Sequence, residues 1–439
     1  FFFPFSFPFA TTATSFFNVN SVYDYIISLG MTPFVELSFS PELISTTNAT
    51  IFHYKANISP PDLDKWSSLV KEFAQNLIDR YGSSVAESLY FEVWNEYNCG
   101  FLSASNPRLA YYSIYNATAR ALKSVNQNLR VGGPTTCQST ELDLFLDFAK
   151  SNSLPVDFVT THIYPTDPMV SNGQMAPVIR KSVSVVAASP YPNAPLFYSE
   201  FNDGLFATPP FHDMPFASSY IVKAMAELDA AVPFVSYWTF SDVFEEQGMP
   251  AQEFDKPTAT GWGLLSASGI PKPIYRGFFS SFPFYFVILI SFFSSVAFEL
   301  LHKSGDMRVS VTGNGDSADQ GVLALTSDQN DLWLLAYNNH WPSDPSPVSE
   351  ATFNISIAGL QRSGSAFFNA TRIDDKNANA PQQWRNDGSP LYLTPAQIAK
   401  YKQTSELSWS TVKASSQDGI VVVPSFTVPP QGLIVMHLV

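Results

Sequence analysis

From Ser21 to Asp242 the apolar positions alternate between two periods. Val22, Tyr25, Ile26 and Leu29 recur at helical spacing and stop at Gly30, and an apolar strand, Thr32 to Leu37, follows. Trp66, Leu69, Val70, Phe73, Leu77 and Tyr81 form the next helical stripe, closed by Gly82; the strand run Phe91-Glu92-Val93-Trp94-Asn95-Glu96 comes after it. The alternation continues through a helix over 108–124, a short strand into Gly132-Gly133, a helix over 141–150 and the strand Phe158 to Tyr164. Two further strands, Leu196 to Glu200 and Phe234 to Phe240, flank a helix through Ile221 to Leu228. Strands this apolar, separated by helices, predict a parallel sheet covered by helices.

After about Asp306 the period changes. Short strands are predicted at Met307–Val311, Val322–Thr326, Leu332–Tyr337, Thr352–Ile357, Ala366–Arg372, Ile420–Val423 and Leu433–Val439, punctuated by Gly, Pro, Asn and Asp, which is the pattern of a β-sandwich. The division is a Phe-rich start at 1–20, read as foreign or disordered, an α/β unit at 21–305 and a sandwich at 306–439.

In the first unit the polar residues with chemical potential, Glu96, His162, Glu200 and the segment after Trp238, all stand where strands end. That is the active face of a (β/α)8 TIM barrel. Only six strands can be counted, so the barrel is incomplete, with two unpaired edges and an unfilled interior; a truncated chain is the expectation. A carboxylate that ends a buried strand is poorly placed for stability and well placed for a cleft. A lone Glu there is usually a solvated charge, but two facing each other are what glycosidic bond cleavage requires.

Charge and composition narrow the classes. The formal net charge of -14 argues against a nucleic-acid partner, and the six histidines are scattered. Neither a phosphate-binding glycine loop nor a zinc-ligand spacing occurs, so no cofactor and no metal are expected. Sequons begin at Asn48, Asn57, Asn116, Asn354 and Asn369, which permit secretion without proving it, and no signal peptide is visible. Extracellular localisation is the expectation, with the membrane as alternative. The two cysteines, Cys99 and Cys137, are either free thiols or a disulfide, since both follow adjacent parallel strands at the same end.

Residues 279–298 carry no charge and are long enough to span a bilayer. They also break a helix: joining Tyr275-Arg276-Gly277-Phe278 to Glu299-Leu300-Leu301-His302-Lys303 restores an amphipathic pattern. Their Phe, Ser, Leu, Ile and Pro content, shared with residues 1–9, is that of a translated pyrimidine-rich non-coding stretch, so a retained intron is favoured over a membrane anchor.

The stretches Val22-Tyr23-Asp24-Tyr25, Met31-Thr32-Pro33-Phe34-Val35-Glu36-Leu37-Ser38, Phe91 to Glu96, Val131-Gly132-Gly133-Pro134 and Val156 to His162 resemble glycoside hydrolase family 39, the retaining β-xylosidase and α-L-iduronidase family. The run Ser236-Tyr237-Trp238-Thr239-Phe240-Ser241-Asp242-Val243-Phe244-Glu245-Glu246, with Gly263-Leu264-Leu265 and Ile270-Pro271-Lys272-Pro273, is similar to the xylosidase branch. The resemblance implies Glu96 as acid/base, Glu200 as nucleophile and Asn95 as the partner of the sugar 2-hydroxyl. It places His162, Tyr164, Trp238, Glu245 and Glu246 at the sugar subsite. Trp238 is either a core aromatic or a platform under the sugar, and one of the adjacent Glu245 and Glu246 is a solvated charge unless the backbone there is irregular. Tyr97 departs from the family, which has Pro there, and the first two barrel strands have no counterpart before Ser21.

Three functions remain open: a secreted retaining β-xylosidase acting on xylo-oligosaccharides or other glycosides, an inactive sugar-binding remnant, and a membrane-anchored glycosidase-like protein.

Overall fold

The computed structural model describes residues 14–205, 211–228, 232–244, 252–256, 261–278, 307–313, 319–328, 331–344, 346–360, 365–417 and 419–439. Glu245, Glu246 and the segment 279–298 lie outside the described residues. Among the described helices none is long and apolar enough to cross a membrane.

Six parallel strands form one sheet in chain order: β1 (Phe34–Leu37), β2 (Tyr90–Val93), β3 (Arg130–Thr136), β4 (Phe158–His162), β5 (Leu196–Phe201) and β6 (Phe234–Tyr237). Helices cover the outer face. The first, Phe17–Ser28, begins ahead of the Ser21 at which the alternating pattern starts. The helix Leu63–Tyr81 shows why the stripe folds as read: Asp62 caps its first turn through Asp64 and Lys65 N–H, Trp66, Val70, Phe73 and Leu77 are buried, and Gly82 stops it in a positive-φ conformation. A helix at Ala176–Ala187 was absent from the sequence expectation.

The interior is organised in layers, because a strand turns every second side chain inward. Phe34, Tyr90, Phe158, Phe197 and Phe234, near the starts of five strands, make an aromatic plug. Phe34 of β1 stacks on Phe234 of β6 at 5.0 Å, so rings bridge the two outer strands of the six. The expectation of an unfilled interior is therefore corrected at this end: bulky rings occupy it. Two residues further along lie Glu36, Glu92, Thr160 and Ser199, and above them the strand ends.

The C-terminal unit is an antiparallel eight-stranded sheet beside a two-stranded one, Ala351–Phe353 with Phe426–Val428. Strand Asp331–Asn338 is buried on both faces. Trp333, Leu335 and Tyr337 join the barrel core, whereas Leu332, Leu334 and Ala336 join the sandwich core. The helix Pro215–Glu227 is the barrel element it meets, and Asn339 Nδ2 donates to Phe216 O at 3.1 Å and Ser219 Oγ at 2.9 Å across the junction. Strands Ser410–Gln417 and Phe426–Val428 and helices Ala380–Asn386 and Pro395–Thr404 add to the expected set.

Candidate active site

Strand β2 ends at Val93, and two of the next three residues adopt left-handed backbone: Trp94 at φ 66° and Glu96 at φ 40°. Such residues cost of order 1–3 kcal/mol each and persist only where surroundings over-determine them. Here Trp94 N–H donates to Leu37 O at 3.1 Å, Glu96 N–H to Thr135 O at 2.9 Å and Trp94 Nε1 to Phe101 O at 2.9 Å. These bonds from β1, β3 and the following loop aim Glu96 into the mouth of the sheet. Tyr97 is buried, stacks on Tyr111 at 4.4 Å and donates to Glu141 Oε2 at 2.9 Å, so the residue that departs from the family anchors this loop to the next one. The structure joins Cys99 to Cys137, with Cα atoms 6.2 Å apart, which ties the same two loops covalently.

Glu200 lies in β5 and His162 ends β4, two adjacent strands paired His162 to Glu200. His162 Nδ1 is 2.7 Å from Glu96 Oε1 and 3.4 Å from Glu200 Oε2; Tyr164 OH donates to Glu200 Oε2 at 2.6 Å. One carboxylate oxygen each of Glu96 and Glu200 and a ring nitrogen of His162 all lie within 4.8 Å of one another. Glu96 is 9% exposed and His162 fully buried.

Burial pushes Glu200 up to about 8, against the lowering effect of His162, and the negative charges of Glu96 and Glu36 add to the rise. Burial also opposes a charge on His162, yet Glu200 and then Glu96 outweigh it and hold its pKa near 10. The ring thus lies between two carboxyls whose charges favour its protonated form. The spacing of the three groups is that of a ligand cluster. The other such group, Glu96 with Cys99 and Cys137, has its sulfurs in the disulfide.

Of the remaining sequence candidates, Asn95 is buried and its Oδ1 has no hydrogen-bond partner among the described residues, as is also true of His162 Nε2. Trp238, half-buried, follows β6 and packs on Trp262 at 4.9 Å. Glu96, His162, Tyr164 and Glu200 are brought together.

The polar layer beneath was missed. Glu92 is buried, accepts from Ser199 Oγ at 2.6 Å, and is pushed up to about 7 by burial and by Glu36; Ser38 Oγ donates to Glu36 at 2.6 Å. Asp167, raised to about 6 by burial, accepts from Tyr164 N–H at 2.8 Å and so seats the tyrosine. The signal for Glu36 and Glu92 was present: each is the single charge in an apolar strand, which is costly unless the site uses or pairs it.

The sequence profile described as "Glycosyl hydrolases family 39" matches residues 10–422. A "Beta-xylosidase" of Caldicellulosiruptor saccharolyticus is 34% identical over 418 residues, covering 91% of this chain and 79% of that protein. A "Beta-xylosidase" of Geobacillus stearothermophilus is 31% identical over 424 residues, covering 93% and 77%. Among solved structures, the GH39 enzyme from Xanthomonas axonopodis pv. citri superposes with a TM-score of 0.80 at 26% identity, covering 97% of this chain and 83% of its own. A monomeric beta-xylosidase from Caulobacter crescentus CB15 gives 0.79 at 26% identity, with 97% and 85% covered. An incomplete barrel with a sandwich, two facing glutamates and a family match over nearly its whole length place this chain in glycosyl hydrolase family 39.

Proposed function

We propose that this glycosyl hydrolase is a β-xylosidase that cleaves xylo-oligosaccharides with retention of configuration, Glu200 acting as nucleophile and Glu96 as acid/base. The observation that carries the mechanism is the approach of the two carboxylates to within 4.8 Å. Retaining enzymes hold them about 5–5.5 Å apart, whereas inverting enzymes leave about 6.5–9.5 Å for a water. The two relatives printed as beta-xylosidases support the sugar.

In the first step Glu200 attacks the anomeric carbon while the proton on Glu96 passes to the leaving oxygen, giving a glycosyl ester and a free aglycone. In the second Glu96, now ionised, takes a proton from water as its oxygen attacks the same carbon and Glu200 leaves. Tyr164 holds the attacking carboxylate, and Asn95 Oδ1 is an unused acceptor for a sugar hydroxyl.

The test is hydrolysis of an aryl β-xyloside beside the matching glucoside and arabinoside, followed by labelling with a 2-fluoro-xyloside and peptide mapping. Label on the Glu200 peptide supports the proposal; label elsewhere, or preference for another glycone, rejects the assignment or the sugar.

A further inference from the structure

Beside the site, the tripeptide Gly261-Trp262-Gly263 runs along the segment that follows β6. Thr239 N–H donates to Trp262 O at 3.3 Å and Leu264 N–H to Thr239 O at 2.9 Å, so the two stretches pair like short parallel strands. The peptide groups on either side of the indole are held by buried charged side chains. Gly263 N–H donates to Asp242 Oδ1 at 2.8 Å, and Lys272 Nζ donates to Gly261 O at 2.6 Å. Lys272 also bonds Asp242 Oδ1 at 3.0 Å and Asp213 Oδ1 at 2.9 Å, and Lys256 pairs with Asp242 Oδ2. Lys272 and Asp242 are completely buried, and Asp213 and Lys256 nearly so.

A charge cluster this deep is an expensive way to fill space, since apolar residues of the same volume are often as stable or more so. What the ions supply is direction: Asp242 and Lys272, fixed by Asp213 and Lys256, set one short piece of backbone. A Cβ at Gly263 would stand 2.3 Å from Asp242 N, so any side chain there must displace the tripeptide, and Gly261 has a positive φ of 88°. The indole so held donates its own N–H to Leu205 O at 3.1 Å and packs on Trp238 at 4.9 Å with the planes 49° apart. Trp238 is fixed from its other side, its carbonyl accepting from Asn202 Nδ2 at 3.0 Å, just past Glu200 in β5.

We infer that Lys272 and Asp242 are positioning residues that clamp the buried Trp262 and, through it, the half-buried Trp238, against which the sugar ring of the substrate stacks. The inference rests on the glycosidase reading of the site. The clamp acts on ring placement and not on proton transfer, so its loss weakens sugar binding while leaving the chemistry of bound substrate nearly intact.

Two variants disturb the tripeptide from opposite ends, Lys272→Met at the Gly261 carbonyl and Gly263→Ala at the Asp242 contact. Aryl β-xyloside kinetics, normalised to active enzyme by titration with a 2-fluoro-xyloside, should show KM raised roughly tenfold, equivalent to about 1.4 kcal/mol of stacking, with kcat within about threefold. A purely structural role lowers the titrated active fraction and leaves KM unchanged, which would overturn the inference. So would the failure of both variants to fold, since the cluster is then a folding requirement only. If the unaltered protein turns over no xyloside, the proposed function falls separately; the clamp is then judged by acrylamide quenching of tryptophan fluorescence, which rises in both variants if the indoles are released and stays constant if they are not.

Discussion

Glu200 stands between opposing influences. Burial and neighbouring carboxylates favour its neutral form, while the His162 cation and the Tyr164 hydroxyl favour the ionised form that the proposed mechanism requires. Removing the cation in His162→Gln should therefore raise the pKa of Glu200, and the acidic limb of the kcat/KM profile should move to higher pH by about one unit or more. An unmoved limb would mean that His162 does not govern the ionisation of Glu200. Glu92 makes a separate prediction. Its folded pKa of about 7 lies above the unfolded value of roughly 4.3, so the folded state holds the proton more tightly and its contribution to stability fades as pH rises through that window. Glu92→Gln keeps an acceptor for Ser199 and cannot ionise; the loss of Tm between pH 5 and pH 8, values set by roughly that window, should shrink relative to the unaltered protein. The catalytic candidates were legible because each ends a strand. Glu36 and Glu92 signalled themselves only as single charges in apolar strands, and Ser199 not at all, because the face that a polar residue inside a strand occupies is unknown until register and curvature are known.

At the scale of elements, strands buried on both faces and helices with a full apolar stripe were legible. Asp331–Asn338 reads as an unbroken apolar run because one face meets the barrel and the other the sandwich. The helix Ala176–Ala187 escaped because Val178, Val183, Val185 and Val186 give it strand-like chemistry, and its burial of Ile179 and Val186 is decided by packing. The helix Pro395–Thr404 carries a Thr394–Gln397 capping box, but Tyr401 is its only buried residue, so capping was the signal and periodicity was absent. The loops after β2 and β3 form a unit through the Cys99–Cys137 bridge and the bond from Cys137 N–H to Asn98 Oδ1 at 3.1 Å. Their sequence separation of 38 closes a loop whose opening should cost about 4 kcal/mol. The paired Cys99→Ser and Cys137→Ser substitutions should lower the denaturant midpoint accordingly, and a change under about 1 kcal/mol would show the bridge to be dispensable for the fold.

Over the whole molecule, the six-strand count was legible and the way the sheet accommodates it was not. An aromatic plug assembled from five strands depends on curvature that no local pattern encodes. Phe234 is its buried member in β6 and the stacking partner of Phe34 in β1. Phe234→Ala should destabilise the protein by about 3–5 kcal/mol, read from equilibrium unfolding; a cost near that of a surface change would show that the plug does not hold the outer strands.

The chemistry that this architecture serves is tested most directly by the first sugar released. Proton NMR of an aryl β-xyloside digest, recorded within the first minutes and before mutarotation, should show β-xylose accumulating ahead of the α-anomer, because two displacements at carbon 1 restore its configuration. α-Xylose as the first product would contradict the double displacement by Glu200 and Glu96.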